Sequence, residues 1–157
     1  MPEPVLDAAV RPGGSPSLRI VIGENNADLA LTLALLLDAE PDMLCVATAA
    51  AASAVLAAVD EHSPNAFILD MSLDDGPSLP LIAVLRARLP AAVIVVFTGH
   101  KNELLKAHCL QAGADAVVVK AGDFEELTVA LRVAAQAAAM RVAGGASATG
   151  NGVSADG

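Results

Sequence analysis

The stretch Phe67-Ile68-Leu69-Asp70-Met71-Ser72-Leu73-Asp74-Asp75-Gly76 decides how this chain is read. Three large apolar side chains run into one carboxylate, and a loop rich in Asp and Gly follows. An apolar run bounded by turn residues is the pattern of a strand buried on both faces, as in parallel sheets. Asp70 then stands where that strand leaves the sheet. In open α/β sheets, ligands and chemistry gather at the carboxyl ends of the strands.

Upstream, Leu18-Arg19-Ile20-Val21-Ile22 is a β-branched run closed by Gly23, and Glu24-Asn25-Asn26 follows as a loop. Asn26 can cap the next helix, with Asp28 in its first turn and Leu29, Leu33, Leu36 and Leu37 as its apolar stripe. Met43 to Ala47 is a second strand, and Ala51 to Glu61 a second helix with Val55, Leu56 and Val59 inward. Downstream, Leu79 to Leu89 is a helix stopped before Pro90. Val93 to Phe97 is a fourth strand ending at Thr98-Gly99-His100. Glu103 to Ala112 is a helix with Gly113 at its C-terminal cap, and Ala116 to Val119 a fifth strand ending at Lys120. A last helix runs from Phe124 to about Met140. Strand and helix alternate five times, and helical crossovers force parallel neighbours. The expected fold is α/β: a doubly wound, five-stranded parallel sheet in strand order 2-1-3-4-5, flavodoxin-like.

Residues 1–17 read as a flexible leader, 18–141 as one folded domain, and 142–157 as a disordered tail rich in Gly, Ala and Ser. The 157 residues suit a single core. No apolar run reaches the length of a membrane span, and no signal-peptide core opens the chain, so a cytoplasmic protein is expected. Cys45 and Cys109 fall inside apolar patterns without metal-ligand spacing and are expected as buried free thiols. A net charge of -9, no Trp or Tyr and only three Phe argue against a nucleic-acid partner. Val129, Leu131, Val133 and Met140 spread around the last helix, which fits both core packing and a homodimer or partner face.

In that strand order the ends of the first and third strands are adjacent. Glu24 and Asn25 then lie beside Asp70, and Thr98 and Lys120 end the next two strands on the same rim. Two carboxylates held close repel one another, and a hard cation relieves the repulsion. Mg²⁺ is typically held by one or two carboxylates with phosphate oxygens and waters. Glu24, Asn25, Asp70 and the backbone carbonyl of Ser72 form the expected metal shell. Asp70 can act as a nucleophile on phosphorus, with Lys120 and the Thr98 hydroxyl contacting the phosphoryl oxygens.

The pieces Ile20-Val21-Ile22-Gly23-Glu24-Asn25-Asn26-Ala27-Asp28, Phe67-Ile68-Leu69-Asp70, Val95-Val96-Phe97-Thr98-Gly99 and Gly113 to Lys120 together resemble the receiver domains of bacterial two-component response regulators, over roughly residues 18–140. The resemblance implies that Asp70 is the phosphoacceptor, that Glu24 and Asn25 stand where the family keeps its acidic metal pair, and that Thr98 and Lys120 engage the phosphoryl group. It implies Mg²⁺ as cofactor and a histidine kinase or histidine phosphotransfer protein as donor. The domain would be a phosphoryl acceptor able to lose its own phosphate rather than a conventional enzyme. The chain departs from the family pattern at Asn25, which is no carboxylate, at Val117 where an aromatic is frequent, at Asp74 in place of Pro and at Ser78 in place of Gly. With no room after Met140 for a DNA-binding domain, a stand-alone receiver is expected, signalling through a downstream protein partner or by phosphoryl relay. Two alternatives stay open: a phosphorylation-independent interaction module, and a flavodoxin-like cofactor binder.

Overall fold

The computed structural model describes residues 18–120 and 123–156, with side chains through residue 141. The leader expected over residues 1–17 lies outside the described residues. In chain order the elements are β1 (Leu18–Gly23), α1 (Ala27–Asp38), β2 (Met43–Ala49), α2 (Ala52–His62), β3 (Ala66–Leu69), β4 (Ser72–Leu73), β5 (Gly76–Pro77), α3 (Leu79–Arg88), β6 (Val93–Thr98), α4 (Glu103–Ala112), β7 (Ala116–Val119) and α5 (Phe124–Asp156). The five-stranded sheet has the order β2-β1-β3-β6-β7, all neighbours parallel. Once the short β4–β5 hairpin is set aside, this is the expected order 2-1-3-4-5.

β3 is apolar at every position, and the inner strands β1 and β6 nearly so, because both faces of the sheet are covered. Successive side chains point to opposite faces. Val21, Phe67, Leu69, Ile94 and Val96 pack with Val55 and Val59 of α2, Leu81, Ile82 and Leu85 of α3 and Cys109 of α4. Ile20, Ile22, Ile68, Val95 and Phe97 pack with Leu33 and Leu37 of α1 and Leu127 and Leu131 of α5. Two helices therefore cover one face and three the other.

Helix ends follow local chemistry. Asn26 caps α1 by accepting from the Leu29 amide, and Asn102 caps α4 by accepting from the Leu105 amide. Gly113 ends α4 with φ +124°, in the region that favours glycine. A Cβ there would also sit 2.8 Å from Cβ of Arg86.

Two expectations change. Leu36 is 41% exposed, and Ala30 takes its place in the stripe with Leu33 and Leu37. Three positions on from Leu33 falls about 60° short of a full turn, which puts Leu36 at the edge of the buried face. Helix α5 continues through Asp156 instead of ending near Met140, across a stretch rich in Gly, Ala and Ser. That stretch holds no Pro, the residue that would force a stop. Leu131 of α5 is fully buried, whereas Val129, Val133 and Met140 are at least half exposed. Both thiols are free; Cys109 is buried and Cys45 half-buried.

Candidate phosphoacceptor site

The site forms where four strands run out along one rim. Glu24 directly follows β1, and its amide donates to the Ala49 carbonyl at 2.9 Å, continuing the sheet one residue further. The chain is tightly packed here: a Cβ on Gly23 would stand 2.9 Å from Cδ2 of Leu69 and 3.2 Å from Cγ2 of Val55. The Glu24 residue is only 4% exposed. A buried carboxylate needs partners, and Glu24 has two: the Asn26 amide donates to Oε2 at 3.1 Å, and Nζ of Lys120 lies 3.0 Å from Oε1.

Asp70 directly follows β3, and its amide donates to the Gly23 carbonyl at 2.8 Å. The Met71 amide donates to its Oδ1 at 2.8 Å, and Nζ of Lys120 is 3.4 Å from the same oxygen. Lys120 follows β7 and is joined to β6 by its amide, which donates to the Thr98 carbonyl at 2.7 Å. One ammonium thus bridges two carboxylates carried by different strands, and it also lies 6.0 Å from the centre of the Phe97 ring. Thr98, at the end of β6, is 1% exposed, and its Oγ1 accepts from the His100 amide at 3.2 Å. A hydroxyl has one donor and two acceptor positions, so its proton is still available to a third group.

Asn25 is exposed beside Glu24, at a cavity of about 210 Å³ that Ala27, Ala30, Ala34 and Thr48 help to line. Ser72 sits in the β4–β5 hairpin directly opposite Pro77, which has no N–H to give the Ser72 carbonyl. Of the residues expected at the rim, Glu24, Asp70 and Lys120 are in direct ionic contact. Asn25 and Thr98 flank them on the ends of β1 and β6.

Several site residues had no readable signal. Asp74 and Asp75 look like a solvated turn. The Asp74 amide in fact donates to the Ala50 carbonyl at 2.9 Å, and the Asp75 carboxylate accepts from the Ala52 and Ser53 amides at 2.7 and 3.1 Å. Asp75 therefore caps α2, and these amide bonds hold its carboxyl below the usual range. It is 22 or more residues distant in sequence from the amides it caps, so no local pattern reveals it. Ser78 is fully buried, and its hydroxyl donates to the Asp70 carbonyl.

The donors at the rim are hard oxygens, the type Mg²⁺ prefers. Among the described residues no three His, Cys, Asp or Glu side chains gather as a metal cage. A cation here would rest on the Glu24 and Asp70 carboxylates, completed by the Asn25 amide oxygen and the Ser72 carbonyl. That set fits the ion with one formal charge fewer than an all-carboxylate trio would supply.

The model for the response regulator receiver domain matches residues 20–132. Oxygen regulatory protein NreC of Staphylococcus haemolyticus is 30% identical over 116 residues, which is 73% of this chain and 54% of that protein. Transcriptional regulatory protein KdpE of Mycobacterium tuberculosis is 34% identical over 116 residues, 66% of this chain and 51% of that one. The chain thus spans about half the length of the curated relatives it matches. Among solved structures, a LuxR-family response regulator from Aurantimonas superposes with a TM-score of 0.73 at 24% identity, covering 77% of this chain and 86% of that one. The receiver domain of a NarL-type regulator from Mycobacterium tuberculosis gives 0.68 at 19%, covering 79% and 98%. Among the described residues no helix is long and apolar enough to cross a membrane. With the matched region reaching from β1 into α5, this chain belongs to the response regulator receiver domain family.

Proposed function

We propose that this chain is a cytoplasmic receiver that accepts a phosphoryl group on Asp70 from a phosphohistidine of a histidine kinase or phosphotransfer protein. The observation that carries this is the Lys120 ammonium, 3.0 Å from Glu24 and 3.4 Å from Asp70. It brings one cation to the carboxylate that would receive the phosphoryl group and to its acidic neighbour. A carboxylate oxygen of Asp70 forms the new O–P bond as the donor's N–P bond breaks, and the imidazole leaves. Lys120 then turns from carboxylate to phosphoryl oxygen as a compact point charge. Thr98 donates its hydroxyl proton to another phosphoryl oxygen while keeping the His100 amide. Glu24, Asn25, Asp70 and the Ser72 carbonyl would hold Mg²⁺, which when bound offsets the charge on the transferring group.

The output runs through protein contacts. A net charge of -9 favours a downstream protein over nucleic acid. The outward Val129, Val133 and Met140 of α5 offer a homodimer face. Complete switching from 1:99 to 99:1 requires about 5.5 kcal/mol of differential stabilisation. With Val117 where the family often has an aromatic, the shift is expected to be partial.

Incubation of the full chain with Mg²⁺ and acetyl phosphate, followed by intact mass measurement, tests this. One added phosphoryl group is expected on the wild type and none on Asp70→Asn. A folded wild type that gains no mass refutes phosphorylation, and then the neutral Asn25 and the ring-free Val117 favour an interaction module that works without it.

A further inference from the structure

Ser78 has no part in the chemistry above, yet it is a fully buried polar residue eight positions after Asp70. Its hydroxyl donates to the Asp70 carbonyl. Its own amide donates to the Met71 carbonyl at 2.9 Å. One residue therefore grips two consecutive carbonyls, those of the phosphoacceptor and of the residue after it.

The consequence follows from the planarity of the peptide bond. The Asp70 carbonyl and the Met71 amide belong to one rigid unit and point in opposite directions. Ser78 holds the carbonyl end. The amide end donates to Oδ1 of the Asp70 carboxylate at 2.8 Å. Fixing one end of the plane fixes the direction of the other. On the far side, the Asp70 amide is tied to the Gly23 carbonyl at 2.8 Å. The backbone on both sides of Asp70 is thereby held, and its carboxylate is clamped by an amide that cannot rotate unless Ser78 lets go.

We propose that the Ser78 hydroxyl is a positioning group for the phosphoryl-accepting carboxylate. By locking the Asp70–Met71 peptide plane, it keeps Oδ1 engaged by the Met71 amide and presents the other carboxylate oxygen to the donor. The inference rests on the phosphoacceptor role proposed for Asp70, but the clamp itself is a property of the resting chain. Ser78 touches no reacting atom and acts only through this peptide plane.

The test compares the full chain with Ser78→Ala and Ser78→Gly by two measurements. The first is amide hydrogen exchange read residue by residue by NMR, with the β6 amides of Val95 and Val96 reporting global stability. Both variants are expected to lose about tenfold in Met71 protection beyond any change at β6, the size of one lost buried hydrogen bond. The second is the initial rate of phosphorylation by acetyl phosphate, expected to fall about tenfold or more, as for a misplaced reacting group. Met71 protection that merely follows β6, or an unchanged phosphorylation rate beside lost protection, overturns the proposal. A wild type that takes no phosphoryl group refutes the phosphoacceptor role, and the exchange measurement alone then decides whether Ser78 holds the plane.

Discussion

Replacing Arg86 should cost this fold more than any exposed substitution, without touching the rim of Glu24, Asp70 and Lys120. Arg86 lies on α3, and its guanidinium donates to the carbonyls of Gly113, Pro90 and Ala92 at 3.0, 2.8 and 2.7 Å. It also donates to Oδ2 of Asp115 at 2.9 Å, and Asp115 accepts from the Ile94 amide at 2.8 Å. The two side chains are 22% and 15% exposed. Removing one partner of a buried pair costs about 3–5 kcal/mol. Partial water access puts Arg86→Ala near the lower end, about 3 kcal/mol, or roughly 10 °C in melting temperature for a domain of this size. Arg86→Lys should recover less than half, because an ammonium cannot match the fork that reaches four acceptors at once. Gly113→Ala attacks the same latch from the other side, since its Cβ would meet the Arg86 stem at 2.8 and 2.9 Å with φ at +124°. The chain has no Trp or Tyr, so urea and thermal unfolding are followed by circular dichroism. A loss below about 1 kcal/mol for Arg86→Ala, or full recovery by Lys, would refute the bridging role.

Asn25→Asp adds a carboxylate beside Glu24 and should lower the Mg²⁺ concentration needed for half-maximal binding by about tenfold or more, measured by calorimetry; an unchanged value would mean that Asn25 lies outside the metal shell. Asp75 is held below its ordinary pKa of 3.8 by the Ala52 and Ser53 amides, so its capping of α2 contributes above that pH and is lost as pH falls through the lowered value. Asp75→Ala should therefore flatten the acid limb of the stability curve, and parallel acid limbs in wild type and variant would count against the cap. Burial and the nearby Asp38 push the Cys45 thiol up to about 11, and burial raises the Cys109 thiol as it packs against the Met71 sulfur at 3.3 Å. Neither should react quickly with a thiol reagent at neutral pH, and two equivalents should appear on unfolding. For Cys45 the linkage runs the other way from Asp75: its contribution is full below 9.0 and fades as pH rises toward about 11.

The sheet was legible because its strands are buried on both faces, so Phe67-Ile68-Leu69 and Val93 to Phe97 announce themselves as unbroken apolar runs. The rim was legible for the same reason: Glu24, Asp70, Thr98 and Lys120 are each the first polar residue where such a run ends. Asn26 and Gly113 were readable because capping is local. Contacts that join distant segments left no such trace. Nothing near Asp75 in sequence says that it caps α2, nothing near Ser78 says that its hydroxyl grips Asp70, and only the assembled fold puts Ala30 rather than Leu36 against the sheet. The residues in the loop after Asp70 that depart from the family pattern make new bonds here. The Asp74 amide ties the loop to Ala50, and Ser78 ties it to Asp70. These departures therefore do not argue for a degraded site, because the backbone they alter is held in place by other means. Asn25 and Val117 differ in kind: on the proposed function one would withhold a charge from the Mg²⁺ shell and the other a ring from the switch surface, and a backbone tie replaces neither. Altered behaviour is thus to be sought in metal affinity and in the size of the conformational response, rather than in whether Asp70 is presented at the rim.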